Sequence, residues 1–368
     1  DRGRMRRRIV AAFRPPRRVA GALWVLSPLL VPLPAVAWVR RWNGWTFRMI
    51  ARFWCRWLGF RQPVLINYVP VLAEAMRGWG GRRPRGDRRV RVVYHCVDRW
   101  DKFDMYDSAL MADMDRRCAC YADLVMASSS DLYERARRWN AHTHIVLHGV
   151  NWEHFAGPLG GSGPGMAAAS DRVLPRPADL PDGPIVGFFG LLSEWVDQDL
   201  LVRLARELRD DTHVRGSAGV VLIGKADVPV ERLAAEPNIH LLGPRPFAVL
   251  PAYVAHFDVG IIPFVVNELT RAVNPIKLRE MLAAGCPVVS TSLPEVAAYA
   301  GDARSGGGVA SVVVASHAGD FIAAVRRAVA APPAIDARRA ISDTIRGETW
   351  AAKVGEIVGL IEAGLPPP

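Results

Sequence analysis

The feature that most constrains this chain is an alternation that runs twice. Short apolar runs are separated by stretches of helical periodicity, a glycine- and proline-rich break follows, and the same alternation then restarts. Strands spaced far enough apart to hold a helix between them form parallel sheets with crossover helices, so the class is α/β. In the first half the strand candidates are LWVLSPLL, PVLINYV from Pro63, VRVVYHCV from Val90, ADLVMASS from Ala122 and HIVLHGV from His144. Helical periodicity fills Trp38–Phe60, Val71–Trp79, Tyr106–Tyr121 and Asp131–Trp139, with Asp131 and Glu134 reading as an N-cap and its capping-box partner. The second half offers PIVGFFG, GVVLIG, NIHLLG, DVGIIPF and PVVSTS as strands. Its helices are DLLVRLARELRD, FAVLPAYVAHF, PIKLREMLAAG and DFIAAVRRAVA.

At 368 residues, about half of them apolar, the chain has material for two α/β domains. The expectation is two Rossmann-like domains with a cleft between them. The boundaries fall at 1–156 for a first domain, 157–184 for a linker, 185–348 for a second domain and 349–368 for a last helix and tail. A start at Asp1 rather than Met leaves room for a missing first strand in the first domain. The five cysteines are scattered and odd in number, which suits reduced, mostly buried thiols rather than a disulfide framework or a zinc site.

Charge is uneven. Residues 1–100 hold 22 arginines, no lysine and 4 acidic residues, a net +18 within a chain of net +11. One half is therefore expected to face a polyanion. Val19–Val39 is uncharged and long enough to span a bilayer, but Pro28, Pro32 and Pro34 do not suit a helix interior. A buried strand, LWVLSPLL, running into a proline-rich loop fits better. Residues 38–60 then carry five Arg and five Trp. As a helix this segment groups Arg41, Arg48, Arg52 and Arg56 at four- and seven-residue separations, beside bulky aromatics, and suits an anionic membrane surface. Packing of several Trp on a sheet is the competing reading. Nucleic acid is not expected, since no RNA- or DNA-binding motif accompanies the charge.

Ligands of open α/β sheets bind beyond the carboxyl ends of the strands. In the second half these loops carry Gly187 and Gly190, then Gly224-Lys225, then Gly243-Pro244-Arg245-Pro246, then the long VVNELTRAVNPIKLREMLAAG. A helix opening near Pro275 would present backbone N–H groups and the positive end of its dipole to a diphosphate. Lys277 adds charge there, and Glu280, one turn on, suits a ribose diol. Of four lysines among 43 arginines, two fall in these loops. No DxD-type metal loop ends a strand convincingly, so no metal site and no cofactor beyond the substrate is expected.

The order GFFG, VVLIG, NIHLLG, DVGIIPF and NPIKLREMLAAGCPVVSTSLPEV resembles the C-terminal domain of retaining, family 4-type glycosyltransferases of the GT-B fold. More narrowly, it is similar to the teichuronic-acid and surface-polysaccharide branch. ADLVMASSSDLYE and VLHGVNWEHF extend the similarity over roughly residues 90–350. The resemblance implies a hexosyltransferase moving sugar from a UDP- or GDP-sugar to a polysaccharide or lipid-linked acceptor. The scattered cysteines and the basic, aromatic segment 38–60 lead to the expectation of a cytoplasmic protein, peripheral at the inner face of the membrane. The resemblance also implies that Glu280 binds ribose and that Pro275 and Ile276 approach the diphosphate through their backbone. Ala272 stands where the family has a first glutamate, and Leu191 and Trp195 where it has Arg and Lys. Lys277, Arg271, Lys225 and Arg245 are then the cations available to the leaving group, with Asn267, Thr270 and Asn274 for sugar hydroxyls and Gly190 for close approach. On the first domain Asp98, in YHCVDRWDKF, is the acceptor-side candidate, with a helix-capping role as its rival. A nucleotide-sugar epimerase and a non-catalytic nucleotide-sugar-binding protein are the competing functions.

Overall fold

The computed structural model describes residues 15–79, 90–159, 175–210, 218–301 and 311–363. Most of the expected linker and the end of the tail lie outside the described residues. By backbone proximity the chain divides into Asp1–Val146 with Ile357–Pro368, and Leu147–Glu356.

The first unit is built on β3 (Leu65–Asn67), β4 (Val92–Cys96), β5 (Leu124–Ala127) and β6 (Thr143–Ile145), which pair in that order and all in parallel. All nine residues of β4 and β5 are buried, as expected where helices cover both faces. The helix Ser108–Tyr121 is capped by Asp107, whose carboxylate accepts from the Leu110 N–H at 2.9 Å. The helix Ser130–Ala136 is capped by Ser129 rather than Asp131. β5 ends early enough for the helix to begin sooner, and Asp131 falls in its first turn, where a carboxylate favours the dipole. The apolar residues Val90, Val93, Leu124, Met126 and Val146 pack with Val64, Ile66, Ile357, Leu360 and Ile361.

LWVLSPLL is not a buried strand. Only Leu23–Val25 (β2) is extended, pairing antiparallel with Arg17–Ala20 (β1) across Gly21 in a two-stranded ribbon whose side chains are mostly exposed. The prolines that argue against a helix also end the strand. Helix α1 (Ala37–Trp57) follows, and Gly44 lets it approach the backbone of Glu74. An added Cβ at Gly44 would lie 2.6 Å from the Glu74 carbonyl carbon. Among the described residues no helix is long and apolar enough to cross a membrane.

Among its described residues the second unit has six parallel strands: β7 (Ile185–Phe189), β8 (Gly219–Ile223), β9 (Ile239–Gly243), β10 (Val259–Ile262), β11 (Val288–Thr291) and β12 (Val312–Ala315). Their spatial order is β12-β11-β10-β7-β8-β9. The chain thus builds outward from β7 in one direction and, after β10, in the other, the doubly wound order that leaves a crevice between the two innermost strands. Gly187 lies in the middle of β7 and is not a turn residue. The Phe257 ring packs where its Cβ would be, 2.0 Å away. Of the cysteines, Cys96, Cys118 and Cys286 are buried, Cys55 is half-buried and Cys120 is exposed.

Candidate functional site

The crevice of the second unit opens beyond β7 and β10. After β7 the chain turns at Gly190, whose N–H donates to the Ile223 carbonyl at 2.8 Å. Gly190 and Gly224 have φ of +140° and +152°, a region closed to most side chains. A Cβ on Gly224 would lie 1.7 Å from the Gly190 oxygen, so the two loops meet backbone to backbone. They stay joined through Leu192 N–H to Lys225 O and Asp227 N–H to Leu192 O, at 2.9 and 3.1 Å. This backbone floor needs both glycines.

Helix α2 (Ile276–Ala283) rises over that floor. Pro275 is its N-cap rather than its first helical residue, and no side chain caps the helix. The Ile276 and Lys277 N–H groups precede the first intrahelical bond and point out of the helix start. Lys277 folds back toward Gly190, where an added Cβ would touch its Cε at 3.1 Å and its Nζ at 3.2 Å. Its ammonium lies 5.2 Å from the Phe188 ring centre and 4.7 Å from that of Phe264. Among the described residues it makes no hydrogen bond or ion pair. Removal from water lowers its pKa from 10.5 to about 8, with Glu280 opposing that shift. Glu280, one turn along the same helix, likewise has no hydrogen-bond partner among the described residues. Burial raises its pKa from 4.5 to about 7, opposed by Lys277. A half-buried cation and a half-buried carboxyl thus wait without hydrogen-bond partners beside an uncapped helix start.

The rest of the loop holds this pair in place. Arg279 is fully buried and donates to Glu348 at 2.8 Å, Asn274 at 2.7 Å and Tyr299 at 2.6 Å. Asn274 is thereby committed to Arg279, a residue the sequence reading passed over. Asn267 and Thr270 form a reciprocal capping box on the short helix Glu268–Arg271, and the Thr270 hydroxyl also donates to Val265 O. Arg245 pairs with Asp179 at 2.6 Å and donates to the Tyr253 hydroxyl at 3.0 Å. Lys225 and Arg271 are exposed, and Ala272 is 1% exposed. Of the expected donor-site residues, the structure brings Gly190, Lys277 and Glu280 together at the mouth of the crevice, with Pro275 and Ile276 at the helix start. Asn267, Thr270, Asn274 and Arg245 serve the local architecture. The aromatic frame of Lys277 went unseen in the sequence, although Phe188 and Phe264 both sit where strand runs end.

In the first unit Asp98 follows the carboxyl end of β4 and caps no helix, the cap of the next long helix being Asp107. Burial raises its pKa from 3.8 to about 6, and it has no hydrogen-bond partner among the described residues. The following turn is clamped by Asp101, which accepts from Arg99 at 3.0 Å and Arg135 at 2.9 Å. Those guanidiniums bring the Asp101 pKa down to about 2 against its burial. His95, read from sequence as a strand residue, does lie in β4, yet neither of its buried ring nitrogens has a hydrogen-bond partner among the described residues, and burial lowers its pKa to about 4. Its ring lies 5.1 Å from that of Tyr68. Unpaired polar groups this deep point to a ligand or water.

Residues 183–331 match the family model described as Glycosyl transferases group 1, and this stretch holds the whole crevice. The second unit carries a glycosyl transferases group 1 domain. The chain is 28% identical over 216 residues to a Bacillus subtilis protein named as a teichuronic acid biosynthesis glycosyltransferase, TuaH. That match covers 55% of this chain and 51% of TuaH, so the chain spans about half the length of this curated relative. Among solved structures it is similar to sucrose-phosphate synthase from Thermosynechococcus elongatus, with a TM-score of 0.65 and 14% identity over 95% of this chain and 86% of that one. It is also similar to Anabaena HepE in complex with UDP-glucose, with a TM-score of 0.59 and 14% identity over 92% and 86%. At these identities the likeness is one of fold, and it shows the two-domain α/β GT-B fold expected from the sequence.

Proposed function

We propose that this protein transfers a sugar from a UDP- or GDP-sugar to a polysaccharide or lipid-linked acceptor, with retention of configuration. The observation that carries the reading is the Lys277–Glu280 pair, desolvated and without hydrogen-bond partners among the described residues, beside the uncapped start of α2 and the Gly190–Gly224 floor. A diphosphate there would accept from the Ile276 and Lys277 N–H groups and neutralise the ammonium, while the Glu280 carboxylate would accept from the ribose diol. As the glycosidic bond breaks, negative charge gathers on the leaving diphosphate, where the fixed positive groups are aimed. Lys277 is thus the electrophilic catalyst and no resident metal is required. Exposed Lys225 and Arg271 add charge at the rim. Asp98 is the acceptor-side group, and His95, neutral at physiological pH, is available to a sugar hydroxyl.

The same reading places the chain in the cytoplasm as a peripheral protein at the inner face of the membrane. Along α1 the exposed apolar side chains Trp38, Trp42, Trp45, Met49, Phe53 and Trp57 recur at three- and four-residue steps and form one stripe. The arginines divide differently from the sequence expectation. Arg48 donates to Glu74 O and Arg52 to Gly78 O and Trp79 O, so both are tied to the body of the unit. The membrane face is chiefly aromatic, with Arg41 and Arg56 exposed beside it.

Thermal stabilisation by a panel of nucleotide sugars tests the donor site, because any ligand preferring the native state raises the melting temperature. A UDP- or GDP-sugar should stabilise the parent and not Lys277→Ala or Glu280→Ala; equal stabilisation of all three defeats the reading. A donor-binding protein that transfers nothing is the second reading, favoured by the buried Ala272 methyl where the family resemblance implies a sugar-contacting glutamate. Binding without turnover, in the presence of acceptor glycans, would select it.

A further inference from the structure

The first unit has a second concentration of cations at the opposite end of its sheet from Asp98. A cavity of about 590 Å³ is lined by residues that include Arg52, Arg61, Arg91, Trp79, Ile361 and Glu362. Arg61 precedes β3 and Arg91 immediately precedes β4, so the cavity lies at the amino ends of these parallel strands. Asp98 lies beyond the carboxyl end of β4, whose five residues alone span roughly 16 Å. The cavity is therefore separate from the acceptor-side group.

Three guanidiniums and one carboxylate give the lining a positive balance. Arg52 is fixed before any ligand arrives. Its Nη2 donates to Gly78 O at 2.8 Å and Trp79 O at 2.9 Å, and its guanidinium lies 5.9 Å from the Trp79 ring centre. Its Nε and Nη1 donate to no described residue. Arg61 makes no hydrogen bond or ion pair with a described residue, and neither does Glu362. These donors are built to take an anion, and the volume suits a group larger than a simple ion.

The neighbours of these arginines indicate where the anion comes from. Phe53 and Trp57 follow Arg52 on α1, and Phe60 precedes Arg61. The three are 61%, 65% and 54% exposed; Phe53 and Trp57 belong to the aromatic stripe, and the three lie outside the cavity lining. Arg52 and Arg61 are thus each one residue along the chain from an exposed aromatic ring, which suits an anion that carries an apolar chain. We propose that the cavity binds the phosphodiester headgroup of a membrane phospholipid, with Arg52 and Arg61 taking the phosphate and the Phe53–Phe60 ledge taking the first acyl carbons. Glu362 acts against a second negative charge and biases the site toward a phosphodiester over a phosphomonoester. The lipid source of the phosphate rests on the membrane reading above.

The test uses the full chain and titrates three probes by calorimetry: dihexanoyl phosphatidylglycerol below its micelle concentration, dihexanoyl phosphatidylcholine, and inorganic phosphate. Phosphatidylglycerol should bind. Arg61→Gln should weaken it about fivefold, the scale of one basic residue at an anionic headgroup, and Glu362→Gln should tighten it. Neither substituted side chain has a described partner, so both variants should melt with the parent. A Trp42→Ser/Trp45→Ser variant separates the two readings. It should lose binding to phosphatidylglycerol vesicles and keep the affinity for the dissolved short-chain lipid. If dissolved lipid fails to bind the parent, or binds both charge variants with the parent affinity, the cavity is not a headgroup site, whatever the vesicles show. If inorganic phosphate binds as tightly as the lipid and with the same dependence on Arg61, the site takes free phosphate and the lipid assignment falls.

Discussion

The environment of Lys277 and Glu280 predicts an unusual pH dependence of donor binding. Both phosphates of a nucleotide sugar are esterified, so its diphosphate keeps a constant charge from pH 6 to 9, and any titration seen belongs to the protein. The Lys277 pKa is lowered to about 8. Its ammonium is present below that value and lost as pH rises through it, and affinity falls on the alkaline side by up to about tenfold per pH unit. The Glu280 pKa is raised to about 7, so its carboxylate, the form that accepts from a ribose diol, is lost as pH falls through that value. Affinity should peak between about 7 and 8, with one limb assigned to each residue. The size of the Lys277 effect follows from the same numbers. The site disfavours the ammonium by the work that moves its pKa from 10.5 to about 8, at about 1.4 kcal/mol per unit, and a bound diphosphate returns much of that work. Replacing Lys277 by Met, which can occupy the space between Phe188 and Phe264, should therefore cost about 2–3 kcal/mol, or roughly 30- to 150-fold in Kd. Calorimetric titration with the stabilising nucleotide sugar at half-unit pH steps is the assay. Lys277→Met should erase the alkaline limb and Glu280→Gln the acid one. Unchanged limbs in both variants, or a Lys277→Met affinity within threefold of the parent, would refute the reasoning.

Further outcomes follow from the same geometry. Gly224→Ala forces a Cβ to within 1.7 Å of the Gly190 oxygen at a φ of +152°, and should cost at least about 2 kcal/mol in urea denaturation while abolishing donor stabilisation. A fully stable, donor-binding Gly224→Ala would show that the floor is not rigid. Arg279→Met removes the buried guanidinium that joins Asn274, Tyr299 and Glu348 and should destabilise by about 3–5 kcal/mol, read as the denaturation midpoint; a loss below 1 kcal/mol would deny the network its role. Transfer should persist in EDTA, with Lys277→Ala depressing it more than chelation does. Loss of turnover in EDTA that Mg²⁺ or Mn²⁺ restores would assign the electrophile to a metal instead.

The second unit was legible in the sequence because β7, β8 and β10 at its centre are buried on both faces. GFFG, VVLIG and DVGIIPF read as continuous apolar runs ended by glycine or proline, and each became a strand within a residue or two of the expected place. β12 was missed because VVVA has no crossover helix of its own before it in the pattern, only the stretch after Ala300. The short helices Glu231–Ala234 and Pro294–Ala297 are single turns, below the length at which periodicity speaks. At the candidate site, Lys277, Glu280 and Gly190, expected near one another from their places in strand-end loops, do lie together in the fold. Residue type alone could not tell a polar side chain that waits for a ligand from one already engaged. Asn267, Thr270, Asn274 and Arg245 are bonded to partners in the same unit, and such pairings become visible only when the fold supplies the neighbour.

The first unit shows the same limit with the opposite consequence. Counted along the sequence, the arginines of α1 look like a cationic face with the tryptophans as bulk beside it, and packing on the sheet as the alternative. In the fold, Arg40, Arg48 and Arg52 spend donors on backbone carbonyls within the unit, while Trp38, Trp42, Trp45 and Trp57 are half or more exposed. This exchange follows from the chemistry of the side chains. A guanidinium on a long stem satisfies carbonyls left open beyond a helix end, and it does so close to the body of the protein. A row of indoles has no such use and is left to cover apolar surface elsewhere. Salt should therefore matter less to vesicle binding than the net +18 of residues 1–100 suggests. Co-sedimentation with anionic vesicles should survive 0.5 M salt in the parent, where charge attraction is screened beyond roughly 4–5 Å. It should vanish at low salt in the Trp42→Ser/Trp45→Ser variant. The reverse pattern, salt-labile binding that ignores the tryptophans, would return the membrane face to the arginines.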